Sequence, residues 1–251
     1  MKFNNKVAII TGGGSGIGQA TAELFARQGA GVVVADYDAA KAAQVADGIK
    51  AAGAKALAVE VDVSKAGMVA DMVQKTLDYF GGIDILFNNA GILVAGSVLD
   101  LAEEDWSRVI DVNLTGVYLC SKAVLPHMIQ RGGGSIINAS SSTGAHDAIE
   151  NAAAYVSSKG GVALLTKAMA LDHIRDNIRV NAICPGPTDT PMLRSFFSSP
   201  EEVRQFGESF PIGRLGQPAE LAQVVLFLAS DEASYVTGAL IAADGGQTAH
   251  V

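Results

Sequence analysis

Short runs of β-branched and aliphatic residues alternate with longer helical patterns along the whole chain, and this alternation limits the fold more than any other feature. Apolar runs at 7–10, 32–36, 56–61, 83–88, 135–139, 179–184 and 240–243 read as strands, about seven in all. Segments 16–28, 39–52, 66–80, 103–112, 114–131, 153–176 and 218–229 carry helical spacing; in the first, Ala20, Leu24 and Phe25 share a face. Strands that are apolar throughout are buried on both faces, which requires a parallel sheet covered by helices. Right-handed crossovers then give an α/β, doubly wound fold.

The 251 residues suffice for a single domain of this kind, spanning 1–251, and are too few for two ordinary ones. With 49% hydrophobic and 18% charged residues, the composition excludes a disordered chain. Many of the 28 glycines stand at the ends of apolar runs, where strands turn sharply into helices. Only 195–210 interrupts the alternation.

The formal net charge of −8 opposes binding to nucleic acid or to anionic membrane surfaces, so neither is expected as a partner. Cys120 and Cys184 are far apart and suggest no disulfide framework. No apolar run approaches the roughly 18 residues that span a bilayer. The first strand begins almost at once and leaves no room for a signal peptide. The expectation is a soluble protein of a reducing, cytoplasmic compartment.

Thr11-Gly12-Gly13-Gly14-Ser15-Gly16-Ile17-Gly18 joins the first strand to the first helix. Glycines let the backbone turn and approach a pyrophosphate closely, and a helix N-terminus offers free N–H groups to the anion. The spacing is G-x-x-x-G-x-G, through Gly12, Gly16 and Gly18, not the strict G-x-G-x-x-G. Asp36 ends the second strand, 18 residues beyond Gly18, close to the offset of a ribose-binding acid. Its carboxylate suits both ribose hydroxyls and repels a 2′-phosphate, and no Arg or Lys sits beside it. NAD is therefore expected over NADP. Asp38 is the better helix N-cap.

The glycine loop, Asp62-Val63, Asn88-Asn89-Ala90-Gly91, Asn113, a serine segment 140–142, Tyr155-x-x-x-Lys159 and Pro185-Gly186 follow one another in order. Together they resemble the short-chain dehydrogenase/reductase family, in its compact single-domain branch with a Rossmann fold, over essentially the whole chain. The resemblance implies hydride transfer between NAD(H) and a secondary alcohol or ketone. It implies a catalytic set of Asn113, Ser141, Tyr155 and Lys159. Cofactor contacts carried over are Gly12, Ser15, Gly16, Ile17, Gly18, Asp36, Asp62, Val63, Asn89, Tyr155, Lys159, Pro185, Gly186, Thr188 and Thr190. It also implies a homotetramer packed through 114–131 and 153–176.

Tyr155 and Lys159 lie four apart on one helix and share a face. An ammonium about 4 Å from a phenolate, at an effective dielectric of about 20, favours it by about 4 kcal/mol, some three pK units at most. The oxidised nicotinamide would add a second positive charge, and together they would bring tyrosine into the range of a general acid–base group. The family serine lies three before a glycine, which selects Ser141; its spacing of 13 to the tyrosine selects Ser142 instead. Ser140 reads as a strand-end hydrogen bonder. Asn113 resembles the asparagine that holds a proton-relay water, and also suits a bond across a helix kink.

Other chemistries fit less well. His127, His146, His173 and His250 are scattered and no cysteine pair has zinc-ligand spacing. A serine-hydrolase elbow fails around Ser15, where Ile17 replaces the last glycine. An epimerase or dehydratase normally has a longer C-terminal substrate region. A reductase of 3-oxoacyl thioesters and a non-catalytic NAD-binding protein remain as alternatives; Asp36 and the acidic charge oppose the first, and the complete catalytic set opposes the second.

Two stretches are expected at the substrate: 145–154, with His146, Asp147, Glu150 and Asn151, and a lid at 193–210, with Arg194, Phe196, Phe197, Arg204 and Phe210. Their polar residues suggest a small polar substrate, such as a sugar-derived compound or a hydroxy acid paired with Arg194 or Arg204.

Overall fold

The computed structural model describes residues 2–249; His250 lies outside them. The strands are β1 (Val7–Thr11), β2 (Gly31–Asp36), β3 (Ala56–Glu60), β4 (Ile85–Asn88), β5 (Gly134–Ala139), β6 (Ile178–Pro185) and β7 (Leu240–Ala243). The helices are α1 (Gly16–Arg27), α2 (Ala39–Ala51), α3 (Ala66–Phe80), α4 (Glu103–Ile110), α5 (Gly116–Arg131), the single turn α6 (Ser142–Ala145), α7 (Ala153–His173), the single turn α8 (Pro191–Arg194), α9 (Pro200–Glu208) and α10 (Pro218–Ala229).

The strands form one seven-stranded sheet in the order β3-β2-β1-β4-β5-β6-β7. Every pairing is parallel. Strand alternation divides the core into two layers. Ala8, Ile10, Val32 and Val34 pack with Ala22, Phe25, Val45 and Val225 from α1, α2 and α10. Ile9, Val33 and Leu86 face the opposite side, with Met72, Val124 and Met169 from α3, α5 and α7. The order reverses between β1 and β4, so a crevice opens where their loops diverge at the carboxyl rim.

Element boundaries move where side chains take over backbone hydrogen bonds. The fourth strand begins at Ile85, because the Asp84 side chain accepts from Val7 N (2.9 Å) and Arg131 Nε (3.0 Å). The helices predicted on either side of 113 are joined by a π-helical turn, Asp111–Thr115. The long helix α7 ends at His173, and Asn177 closes the following turn with φ of 58°. The interrupting segment contains α9, capped by Ser199, whose Oγ accepts from Glu202 N.

Candidate active site

A cavity of about 1350 Å³ occupies the carboxyl rim of the sheet. Every residue of the expected cofactor contacts and catalytic set lines it, except Gly18 and Asn113. Their absence has a physical reason in each case. A Cβ on Gly18 would lie 2.0 Å from Gly12 O, so Gly18 is where α1 closes against the loop beneath the cavity floor. Asn113 is fully buried behind the wall.

The loop after β1 is shaped for close approach. Gly12 and Gly16 have φ of 63° and 53°, in the left-handed region. Ser15 is the N-cap of α1 but makes no side-chain cap hydrogen bond. The first-turn N–H groups therefore stay available to an anion. Thr190 closes the opposite side, its Cγ2 3.1 Å from the Cβ that Gly16 lacks. Uncapped N–H groups and a backbone bare of side chains fit a dinucleotide pyrophosphate.

Asp36 serves the loop as well as the cavity. Its Oδ2 accepts from Gly14 N and its Oδ1 from Asp38 N, both at 2.9 Å. A carboxylate has about four acceptor positions, so two remain for other donors. Asp38 caps α2 through Ala40 N and Lys41 N, as its position predicts. Asn89 Nδ2 donates to Thr11 O and Gly12 O, both at 3.1 Å, so this side chain ties the loop to β4. Asp62 Oδ1 accepts from Ser64 N (2.9 Å) and Ser64 Oγ (2.7 Å) and sits with Val63 on the far wall. Thr188 Oγ1 donates to Gly186 O (2.9 Å), which leaves its backbone to face the cavity.

Tyr155, Lys159 and the serines meet at the other end. Lys159 Nζ donates to Ala139 O (2.7 Å) and lies over the Tyr155 ring, 5.6 Å from its centroid. Ser140 Oγ donates to Lys159 O (2.8 Å), the strand-end role its position suggests. Ser142 Oγ donates to Gln247 Oε1 (3.1 Å), whereas Ser141 faces Tyr155. The glycine anchor, not the spacing of 13, therefore selects the serine beside the tyrosine.

Within the protein itself, burial rather than Lys159 sets the direction in which Tyr155 is shifted. Burial pushes the Tyr155 phenol up from its ordinary value, and the Ser141 hydroxyl opposes this. Lys159 pays the same penalty in the other direction: burial brings its ammonium down to about 8, with Cys184 opposing. Its charge lies over the ring face and makes no hydrogen bond to the hydroxyl.

Asn113 is held by three hydrogen bonds within the protein. Oδ1 accepts from Ile92 N (2.8 Å), and Nδ2 donates to Ile92 O (2.9 Å) and Ser158 Oγ (3.1 Å). Its side chain clamps the π turn to the loop after β4 and to α7.

The substrate end departs from expectation. Of the predicted polar set in 145–154, His146, Asp147, Glu150 and Asn151 do not line the cavity, while Ile149 does. In the second stretch Leu193, Phe196, Phe206 and Phe210 line it, and Arg194, Phe197 and Arg204 do not. Arg194 is held by both Asp189 oxygens (2.5 and 2.9 Å), and Arg204 by Glu201 and Glu208. These carboxylates hold both guanidinium groups outside the cavity. Leu93, Val94, Met192 and Gln247 also line it and carried no recognisable motif. The Gly245-Gly246 pair beside Gln247 is the one local signal of a turn there. Among the described residues no three His, Cys, Asp or Glu converge to hold a metal, and no helix is long and apolar enough to cross a membrane.

A family model described as enoyl-(acyl carrier protein) reductase matches residues 12–248. The chain is 45% identical over 248 residues to a cyclohexanol dehydrogenase of Acinetobacter sp. (strain SE19), covering 98% of this chain and 96% of that one. The chain is a short-chain dehydrogenase/reductase. A second member of this family, the meso-2,3-butanediol dehydrogenase of Serratia marcescens, is 43% identical, with 99% of this chain and 97% of that one covered. A solved short-chain type dehydrogenase/reductase from Mycobacterium marinum superimposes with a TM-score of 0.93 at 37% identity, covering 98% of this chain and 97% of that one. As a short-chain dehydrogenase/reductase, the protein is an oxidoreductase acting on CH–OH groups.

Proposed function

We propose that this enzyme uses NAD(H) to interconvert a small secondary alcohol and its ketone, on a carbon skeleton that packs against an apolar wall. The observation that carries the reading is one cavity lined at one end by the glycine loop and Asp36, and at the other by Ser141, Tyr155 and Lys159. The uncapped N-terminus of α1, with Gly12, Ser15, Gly16 and Ile17, holds the pyrophosphate. Asp36 takes the adenosine ribose through its remaining acceptor positions and disfavours a 2′-phosphate. Asp62, Val63 and Asn89 line the adenosine side, and Pro185, Gly186, Thr188 and Thr190 hold the nicotinamide end. Gly18 keeps the loop closed from below.

When bound, the cofactor accepts or supplies the hydride. Ser141 holds the substrate oxygen. Tyr155 Oη takes the hydroxyl proton as the carbonyl forms and returns it in reduction. Lys159 steadies the phenolate and donates to the nicotinamide ribose. Both Asn113 N–H groups are engaged and one Oδ1 lone pair remains, so a water on the proton route is held by that oxygen together with the backbone carbonyls that the π turn frees.

Relatives named for cyclohexanol, meso-2,3-butanediol and cis-4-hydroxycyclohexanecarboxylate support a small secondary alcohol. A 3-oxoacyl-[acyl-carrier-protein] reductase of Thermotoga maritima, 41% identical, favours the thioester reading. Asp36 opposes it where that chemistry would draw on NADPH. The segment 193–210 serves as a lid on one domain, and Leu164 and Leu171, exposed on α7, support a homotetramer packed through α5 and α7. Two free buried thiols, Cys120 and Cys184, suit the cytoplasm.

The deciding experiment follows NADH formation over cyclic alcohols, short diols, hydroxy acids and sugar alcohols, with NAD and NADP in parallel. Turnover of alicyclic or short-chain secondary alcohols with NAD is expected. Turnover confined to 3-oxoacyl thioesters with NADPH overturns the reading.

A further inference from the structure

Beyond Ser141 and Tyr155 the cavity wall is formed by Leu93, Val94, Ile149, Met192 and Phe196. Gln247 adds a primary amide to this apolar wall. The chain folds back after β7 to deliver it. Asp244 Oδ1 accepts from Gly246 N (3.0 Å), its Oδ2 accepts from Thr248 N (3.0 Å) and Thr248 Oγ1 (2.6 Å), and Gln247 N donates to Asp244 O (3.2 Å). Gly245 and Gly246 hold φ of 62° and 86°, and a Cβ on Gly245 would lie 2.6 Å from Ile212 Cγ2. The turn is built around glycine and presents one side chain to the cavity.

The amide is also oriented. A carboxylate only accepts, so Gln247 Nε2 faces Asp147 Oδ2 (3.2 Å) and Oε1 takes the Ser142 hydroxyl (3.1 Å). Asp147 Oδ1 is buried without a donor among the described residues, and the Gln247 amide is the side-chain donor to its Oδ2. One N–H and one lone pair of Gln247 remain unused. Ser142 adjoins Ser141 in sequence, and Ser141, Tyr155 and Gln247 line the same cavity.

We infer that Gln247 reads a second oxygen on the substrate, next to the carbon that is oxidised, and that vicinal diols and their hydroxyketones are preferred over simple monoalcohols. A neighbouring hydroxyl satisfies both unused positions of the amide, and a neighbouring carbonyl satisfies the N–H. The inference rests on the Tyr155-centred reading above.

The test compares kcat/KM for cis- and trans-cyclohexane-1,2-diol with that for cyclohexanol, on the same ring with saturating NAD. The wild type is expected to favour at least one diol. Gln247→Met keeps the length of the side chain and removes both hydrogen-bonding groups. It is expected to lower the diol-to-cyclohexanol ratio about tenfold, mainly through the KM of the diol. Tm and NADH binding report whether this variant folds; if it does not, Asp147→Asn, which leaves the amide free to flip, is read on the same ratio and should lower it about threefold. A ratio that stays within twofold in a folded variant overturns the inference and leaves the Tyr155 reading intact. A wild type that turns over neither compound overturns both.

Discussion

Lys159 Nζ lies over the face of the Tyr155 ring, 5.6 Å from its centroid, and is anchored to Ala139 O at 2.7 Å. The ammonium is thus positioned by the end of β5, one residue before Ser140, rather than by the tyrosine hydroxyl. An ammonium over a ring face is favoured by the ring quadrupole, yet burial still brings Lys159 down to about 8. The free enzyme therefore carries a lysine whose charge depends on pH near neutrality.

Above about pH 8 the buried Lys159 is mostly neutral in the free enzyme, and a ribose hydroxyl that bonds its ammonium favours the charged form. NADH binding at about pH 9 should take up a large fraction of a proton, and at about pH 6.5, where the ammonium is already present, almost none. Calorimetric titration in buffers of different ionisation enthalpy measures this. Equal uptake in wild type and Lys159→Met at the higher pH contradicts the assignment.

Removing the Tyr155 hydroxyl with Phe should reduce kcat by about 10²–10⁴-fold, the usual range for a positioned proton-transfer group, while NADH still binds. Ser141→Ala should lower kcat by about tenfold or more, since an oriented donor to the substrate oxygen is lost. Ser142→Ala should have a smaller effect on kcat, because its hydroxyl is engaged by Gln247. Steady-state kinetics on the three variants decides the order; a larger kcat loss in Ser142→Ala reverses the serine assignment.

Asp36 has two duties, so its replacement should show two effects. Asp36→Ser is expected to erode a preference for NAD over NADP of about 100-fold or more, since a like-charge clash with the 2′-phosphate is relieved. It should also lower stability by about 1–3 kcal/mol, because Gly14 N and Asp38 N lose their charged acceptor. Cofactor kinetics and denaturant unfolding test these separately. Near-equal use of both cofactors by the wild type removes the basis for the first expectation.

Gly18→Ala brings a methyl group to 2.0 Å from a backbone carbonyl oxygen, where no side-chain rotation relieves the clash. The loop must move, with a stability loss of about 1–3 kcal/mol and at least a tenfold weaker NADH affinity. Gly48→Ala, where nothing lies within 4 Å, is the control and should not weaken binding. Unaltered affinity in Gly18→Ala shows that the loop is more yielding than its packing suggests.

The alternation of strand and helix was legible because both periods are written locally, and continuous burial of β1 and β2 leaves little choice but a parallel sheet. The glycine loop, Asp36 and the Tyr155/Lys159 pair were legible for a similar reason: each depends on a turn, a strand end or a helical repeat a few residues long. The choice between Ser141 and Ser142 was not, because neighbouring hydroxyls on one strand end are separated only by what faces them, Tyr155 and Gln247.

By itself the sequence determined the doubly wound topology, the glycine-loop cradle and the pairing of Tyr155 with Lys159. Tertiary structure alone decided the direction in which these groups titrate, since desolvation depends on how completely distant segments cover them. It alone decided that Arg194 and Arg204 are held by carboxylates while Ile149, Leu193 and Phe196 face the cavity. It also brought Gln247 against Ser142, 105 positions away, because a long-range contact is fixed by packing and leaves no local period to read.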